Sequence, residues 1–290
     1  MEYPVFEIKL GGKDYPKLLV QIPDPPQQLY CRGNLELLNS ECFAVVGTRK
    51  LTSYGKEATQ KIVIGLVQTG FTIVSGLAMG IDAVAHQTAL DTGGKTIAIL
   101  GGGTDDRSIG PQINFRLAIN ILKSDGLIIS EYPEGFHANE KTFPQRNRII
   151  SGLSRGTLVI EADEKSGALI TAHCALDQNR DVFAVPGSIF SSKSLGTNTL
   201  IKKGAKLVVS AQDITDEYGY NLSIFEKNSN ILSTKDPVER NIIAILKEKG
   251  EITADEIIRE STENTSRVLS SISALEIKGI IKQRGEKYYI

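Results

Sequence analysis

AVVGTRKLTSYGKEATQKIVIGLVQTGFTIVSGLAMGID, residues Ala44–Asp82, decides the fold. The apolar run Phe43–Val46 stops at Gly47, and Thr48 and Arg49 follow at once. An amphipathic segment comes next, then a second apolar run, Phe71–Val74, which stops at Ser75-Gly76. Another glycine-containing loop, with Gly80, ends at Asp82. This is the pattern of a βαβ unit with a polar, glycine-lined rim where both strands end. Ligands of open α/β sheets bind at that edge. Glycines let a backbone approach a phosphate, and the free N–H groups of a helix start attract an anion. Arg49 adds a charged fork there, so the stretch predicts a site for phosphate groups.

The alternation continues outward. Further strands are predicted at Thr96–Leu100, Gly126–Ser130, Thr157–Glu161, Val182–Val185 and Lys206–Val209. Helices are predicted at Ser53–Gln68, Ile81–Thr92, Asn114–Ser124, Gln145–Ser151, Gly167–Gln178 and Asn198–Lys203. Strands that are apolar throughout imply a parallel sheet covered on both faces. Residues 1–40 read as an irregular, extended arm packed on the main domain, because four prolines between Pro16 and Pro26 forbid a continuous helix. The main domain is expected over 41–220, and the polar segment 221–234 reads as a linker.

Residues 235–290 change character. PVERNIIAILKEKG is a helix closed by Gly250, TADEIIRES a second with Thr253 as N-cap, and NTSRVLSSISALEIKG a third ending at Gly279. IIKQRGEKYYI reads as a hairpin turning at Arg-Gly-Glu, which completes a winged-helix pattern. This segment has as many acidic as basic residues, with Lys278, Lys282, Arg284 and Lys287 gathered at the wing. The predicted class is therefore α/β: an extended Rossmann-like parallel sheet followed by a winged helix.

Composition narrows the function. The 290 residues are 41% hydrophobic and 23% charged, as in ordinary globular proteins. The absence of an apolar run of membrane length and of a basic leader predicts a cytoplasmic protein without a membrane partner. Cys31, Cys42 and Cys174 have no CxxC spacing, so neither a disulfide framework nor a zinc site is expected. With a net charge of −1, any nucleic-acid site must be a local concentration of cations.

Several motif matches fail on context. Gly93–Thr96 has the letters of a Walker A tail but precedes a strand, so no bound nucleotide cofactor is expected. Gly152–Gly156 has the letters of a nucleophile elbow in the reverse element order. Gly101–Gly103 follows a strand without being a dinucleotide fingerprint. His86, His137 and His173 read as structural, with His86 the nearest to the rim. Asp82 and Glu161 are two carboxylates at strand ends or helix starts; they read as caps, with acid/base chemistry as the alternative. FPQRNRIISGLSRG, Phe143–Gly156, sets Gln145, Arg146, Asn147 and Arg148 behind an aromatic. Charge for phosphate and a ring for a base suit a single strand of nucleotides. Lys202 and Lys203 would extend the basic rim.

Together these residues resemble the bacterial DNA-processing protein A family, also called DprA or Smf. The matching pieces include YPKLL, PDPPQQLYCRGN, VGTRKLTSYG, SGLAMGIDAVAH, TIAILGGG, GLIISEYPEG, FPQRNRIISGLS, VIEA, SGALITA, VFAVPGSI and GTNTLIKKGA, in the family's order over about residues 15 to 210. The resemblance implies a non-enzymatic, dimeric binder of single-stranded DNA that protects incoming DNA and loads the RecA recombinase in natural transformation. It puts the DNA contacts at Arg49, Ser75, Gly76, Arg146, Asn147 and Arg148, then Lys202 and Lys203, to which the reading of the residues adds Gly47, Thr48, Gly80, Phe143 and Gln145. The chain departs from the family at Gly110, where a tyrosine is usual, and Asp105 and Asp106 lower the positive field of that loop. Two rival readings stay open: a phosphoribohydrolase-type enzyme, for which VPGSI and SLGTNT lack the glutamate, and a winged module that binds duplex DNA or docks a protein.

Overall fold

The computed structural model describes residues 3–219, 236–261, 263–278 and 280–289, and the chain divides into two compact units between Leu222 and Ser223. The expected linker over 221–234 and the helix end at Gly279 lie outside the described residues. In the first unit the elements run β1 (Val5–Lys9), β2 (Gln28–Gly33), β3 (Cys42–Val46), α1 (Ser53–Gln68), β4 (Thr72–Ser75), α2 (Ile81–Asp91) and β5 (Thr96–Leu100). They continue with α3 (Phe115–Lys123), β6 (Leu127–Ser130), α4 (Thr142–Gly152), β7 (Gly156–Val159), α5 (Gly167–Asp177), β8 (Asp181–Ala184), α6 (Leu195–Lys202), β9 (Lys206–Leu207) and α7 (Ala211–Thr215).

One nine-stranded sheet forms in the order β1-β2-β6-β5-β4-β3-β7-β8-β9. From β6 to β9 every pairing is parallel. Strands β3 to β7 are buried along their whole length, which is why they read as unbroken apolar runs. One core packs the sheet against α1, α2 and α7 through Ile62, Leu66, Ala85 and Ile214. The opposite face packs against α4 and α5 through Ile149, Ile150, Ala172 and Ala175.

The arm is less irregular than expected. Within it β1 and β2 pair antiparallel with each other, and β2 pairs antiparallel with β6, so the sheet is mixed. The proline cluster lies in the turn between them. Strand β2 alternates, with Leu29 and Cys31 fully buried, and that period-two signal was present in QLYCRG.

Chain order places the site. From β3 the chain lays down β4, β5 and β6 on one side, then returns through α4 to place β7 on the other side of β3. Strands β3 and β7 are neighbours whose connections leave in opposite directions, which is the topological switch point where an open sheet leaves a crevice.

The second unit has α8 (Pro237–Lys249), β10 (Ile252–Thr253), α9 (Ala254–Glu260), α10 (Thr265–Ile277), β11 (Lys282–Arg284) and β12 (Lys287–Tyr289). Its sheet order is β10-β12-β11, so a short strand joins the expected hairpin. Val238, Ile242, Leu246, Ile257, Val268, Ile272 and Leu275 form its core at helical spacing. Asp236 caps α8 by accepting from the Val238 amide at 2.8 Å, and Thr253 opens α9 in a capping box with Glu256. Two of the four wing cations are paired, Lys278 with Glu239 at 2.7 Å and Arg284 with Glu251 at 3.1 Å. Among the described residues no helix is long and apolar enough to cross a membrane.

Candidate functional site

A pocket of about 650 Å³ opens at the switch point. Gly47, Thr48, Arg49 and Lys50 line it from the end of β3, Ser166 and Gly167 from the start of α5, and Asn147 from α4. A second pocket, about 330 Å³, lies beside it, with Met79, Arg107, Ile109, Pro111 and His137 in its wall. Arg49, Ala78, Phe143 and Arg146 border both. Arg49 is exposed and its guanidinium carbon stands 5.3 Å from the centre of the Phe143 ring. A cation on an aromatic face thus forms a ridge between two hollows, at the edge where the strands end.

Local geometry fixes that ridge. The Thr48 amide donates to the Glu161 carbonyl at 2.8 Å, and the Thr48 carbonyl accepts from the Ile81 amide at 3.2 Å. The Thr48 hydroxyl accepts from the Lys50 amide at 3.2 Å. Gly47 is pressed on Ile81, where a Cβ would lie 2.6 Å from a side-chain carbon. Gly80 has φ of +84°, and a Cβ there would collide with the Thr48 carbonyl and lie 2.8 Å from the Arg49 Cα. The 47–50 loop rests directly on Gly80.

The Ser75–Ala78 turn is satisfied from within. Ser75 is fully buried and its hydroxyl donates to the Val45 carbonyl at 2.7 Å. The Gly76 amide donates to Asp82 at 3.0 Å, and the Ala78 amide also donates to that carboxylate. Leu77 has φ of +55°, a conformation costly for a branched side chain. His86 Nε2 accepts its amide at 3.3 Å and Asn114 donates to its carbonyl at 2.8 Å. The Thr96 hydroxyl donates to the Ile73 carbonyl at 2.7 Å and lies 2.6 Å from His86 Nδ1. Nδ1 therefore carries the proton, and His86 is neutral. Burial, helped by Arg146, holds its pKa down at about 3. Burial pushes the Asp82 carboxyl upward, opposed by Arg146 and by the hydrogen bonds of Gly76, Ala78 and Ser75.

The expected arginine rim needs correction. Arg146 borders both pockets but is turned inward: only 4% exposed, it donates from Nη1 to the Gly76 carbonyl at 2.5 Å and also to the Ile99 carbonyl. Burial lowers its pKa to about 10, with Arg49 adding and Asp82 opposing, so it stays charged near neutrality. Arg148 borders neither pocket, being paired with Glu131 at 2.6 Å and Asp24 at 3.2 Å. Residues two apart on a helix are turned by roughly 200°, so both arginines of α4 cannot serve one face. Gln145 accepts from the Tyr132 hydroxyl at 2.6 Å and borders neither pocket. Lys202 and Lys203 close α6, which starts at the rim and runs back along the sheet. They stand away from both pockets. Gly76 borders the second pocket, but its polar groups are taken by Asp82 and Arg146. Asn147 borders the first and donates to the Gly167 carbonyl at 3.3 Å.

Other residues escaped the sequence reading. Lys50, Lys165 and Lys193 border the first pocket, Lys193 paired with Asp163 at 3.1 Å, and Arg107 borders the second. Each lies in a connection that leaves the carboxyl end of a parallel strand, and that position alone could have placed them. Glu161 accepts from the Thr52 amide at 3.0 Å and its hydroxyl at 2.6 Å, bracing the start of α1. The acids after Gly103 are also engaged: Asp105 accepts from the Gly135 amide at 2.8 Å, and Asp106 pairs with Arg32 at 2.6 Å. Among the described residues no His, Cys, Asp and Glu cluster suits a metal.

Residues 7–219 match the family model of DNA recombination-mediator protein A. The chain is 46% identical over 206 residues to DNA processing protein DprA of Streptococcus pneumoniae, covering 71% of this chain and 72% of that one. It is 39% identical over 279 residues to protein Smf of Escherichia coli, covering 94% of this chain and 74% of that one. A solved structure of DNA processing protein A from Helicobacter pylori, described for its single-stranded DNA binding mode, superposes with a TM-score of 0.66 at 32% identity. That match covers 76% of this chain and 98% of the other. A mostly parallel sheet wound about β3 and β7, the glycine-set rim above it and these identities over most of the chain lead to one assignment: the chain belongs to the DNA recombination-mediator protein A family.

Proposed function

We propose that the chain binds single-stranded DNA along the Arg49–Phe143 ridge, with unpaired bases entering the hollows on either side. The observation that carries this reading is the exposed guanidinium stacked on Phe143 between two pockets. An aromatic face accepts any unpaired base, and Arg49, Lys50, Lys165 and Arg107 offer charge to the phosphates. A duplex keeps its bases stacked inside and gains only the charge. The single-strand binding described for the Helicobacter pylori relative points the same way. Family likeness further supports a cytoplasmic homodimer that protects incoming strands and hands them to the RecA recombinase. The reading is of a binder and not an enzyme, supported by the use of Asp82 and Glu161 as braces for loops. We read 1–40 as an arm of the 41–220 domain, 221–234 as a linker, and 235–290 as a winged helix that docks a protein in preference to duplex DNA. Ion pairs on Lys278 and Arg284 favour that choice.

The test is competition between single- and double-stranded oligonucleotides over a salt series. Single strands are expected to win at every salt concentration, with log affinity falling by roughly 0.7 per decade of salt for each phosphate neutralised. Equal affinity for both forms at high salt would reject the reading.

A further inference from the structure

Arg146 borders both pockets, yet its guanidinium faces the protein and not the solvent. We propose that Asp82 and Arg146 form a clamp on the Ser75–Ala78 turn, so that both are positioning residues for the single-strand site and neither touches DNA. This rests on the single-strand reading above. Asp82 holds the amide side of the turn, through Gly76 and Ala78. Arg146 holds the carbonyl side, bridging Gly76 on the turn to Ile99 on β5. With His86 and Asn114 on Leu77, amide and carbonyl of both Gly76 and Leu77 are occupied. No N–H of Gly76 or Leu77 is left to cradle a phosphate, although the Ser-Gly sequence suggests a phosphate loop.

The clamp also explains the glycine. A Cβ at position 76 would collide with the Arg146 guanidinium, so the residue is small to admit the arginine. Ala78, at the far end of the turn, is a wall of both pockets, as are Arg49 and Phe143 of the ridge. A turn free to relax would move that wall and the floor under Arg49 together. Holding such a wall with a buried hydrogen-bonded network is how a binding surface is kept in its bound shape before the ligand arrives.

Two substitutions separate positioning from contact. Asp82→Asn removes a negative charge from beneath a site for a polyanion. If charge alone mattered, the strand would bind more tightly. The clamp predicts the opposite sign, weaker binding by about tenfold, the scale typical of outer residues that orient a site. Arg146→Gln is expected to weaken binding while leaving the salt dependence as in the unmodified protein. A phosphate contact would instead lower the slope by roughly 0.7. Amide exchange in the unmodified protein needs no variant to fold: Gly76 and Ala78 should be protected before any DNA is added. Equal or tighter binding by Asp82→Asn, a reduced slope in Arg146→Gln, or protection that arises only with DNA would each overturn the proposal. If the unmodified protein binds no single strand, the functional reading fails and the role with it, while protection in the free protein still reports the clamp.

Discussion

Alanine in place of Gly80 is expected to destabilise the first unit by about 2–4 kcal/mol and to remove most single-strand binding. Two costs combine. The backbone there, φ +84° and ψ −129°, lies in a positive-φ region that side chains rarely adopt and that costs an L-residue roughly 1–3 kcal/mol. The added carbon would also strike the Thr48 carbonyl and lie 2.8 Å from Arg49 Cα, so the backbone that carries the ridge must shift. Gly70 separates the two costs: its φ is +90°, but nothing lies within 4 Å of a Cβ built there. Urea denaturation should show Gly70→Ala losing only the conformational part, with DNA affinity unchanged. Equal losses in the two variants would mean that the Gly80 contact with the 47–50 loop is not what fixes Arg49.

Phe143→Ala is expected to weaken single-strand binding by about 10- to 100-fold, since stacking on one ring is worth roughly 1–3 kcal/mol per base. Its salt dependence should stay unchanged, because no charge is lost. Arg49→Ala should weaken binding as well and lower the salt slope by roughly 0.7. The guanidinium lies over the ring at 5.3 Å, so each side chain orders the other. A double-mutant cycle should then show a coupling of roughly 0.5–1 kcal/mol. Arg49 is exposed and Phe143 lies at the pocket wall, so melting temperatures should move far less than affinities. Full affinity in both variants would remove the ridge from the site.

The fold was legible where one physical cause acted alone. Strands buried on both faces read as unbroken apolar runs, and α1 was marked by its amphipathic period over sixteen residues. The β1–β2 ribbon was hidden because the prolines between its strands dominated the reading, although Leu29 and Cys31 alternate with half-buried neighbours as an antiparallel strand should. At the site, the position of Arg49 was legible because it lies in the loop that leaves the carboxyl end of β3, the edge where open sheets bind ligands. Arg146 and Arg148 were not. Adjacent letters gave them one role, whereas helix phase sends one guanidinium into the Ser75–Ala78 turn and the other to Glu131 and Asp24. Lys202 and Lys203 border neither pocket for a related reason: they lie at the end of α6, whereas Lys193, just before its start, is the residue that reaches the first pocket. Ser75 and Gly76 have the composition of an anion loop, and only the geometry reveals that Asp82 already occupies the anion's place.

Photocrosslinking addresses the central claim most directly. The unmodified protein would be irradiated with a single strand carrying a photoreactive pyrimidine, and the adducts mapped on the chain. The strand should attach at Phe143 and its pocket neighbours, with the yield falling as salt rises. Adducts confined to 236–289, or to the Lys202–Lys203 end of α6, would mean that DNA is held elsewhere and that the ridge between the two pockets has another purpose.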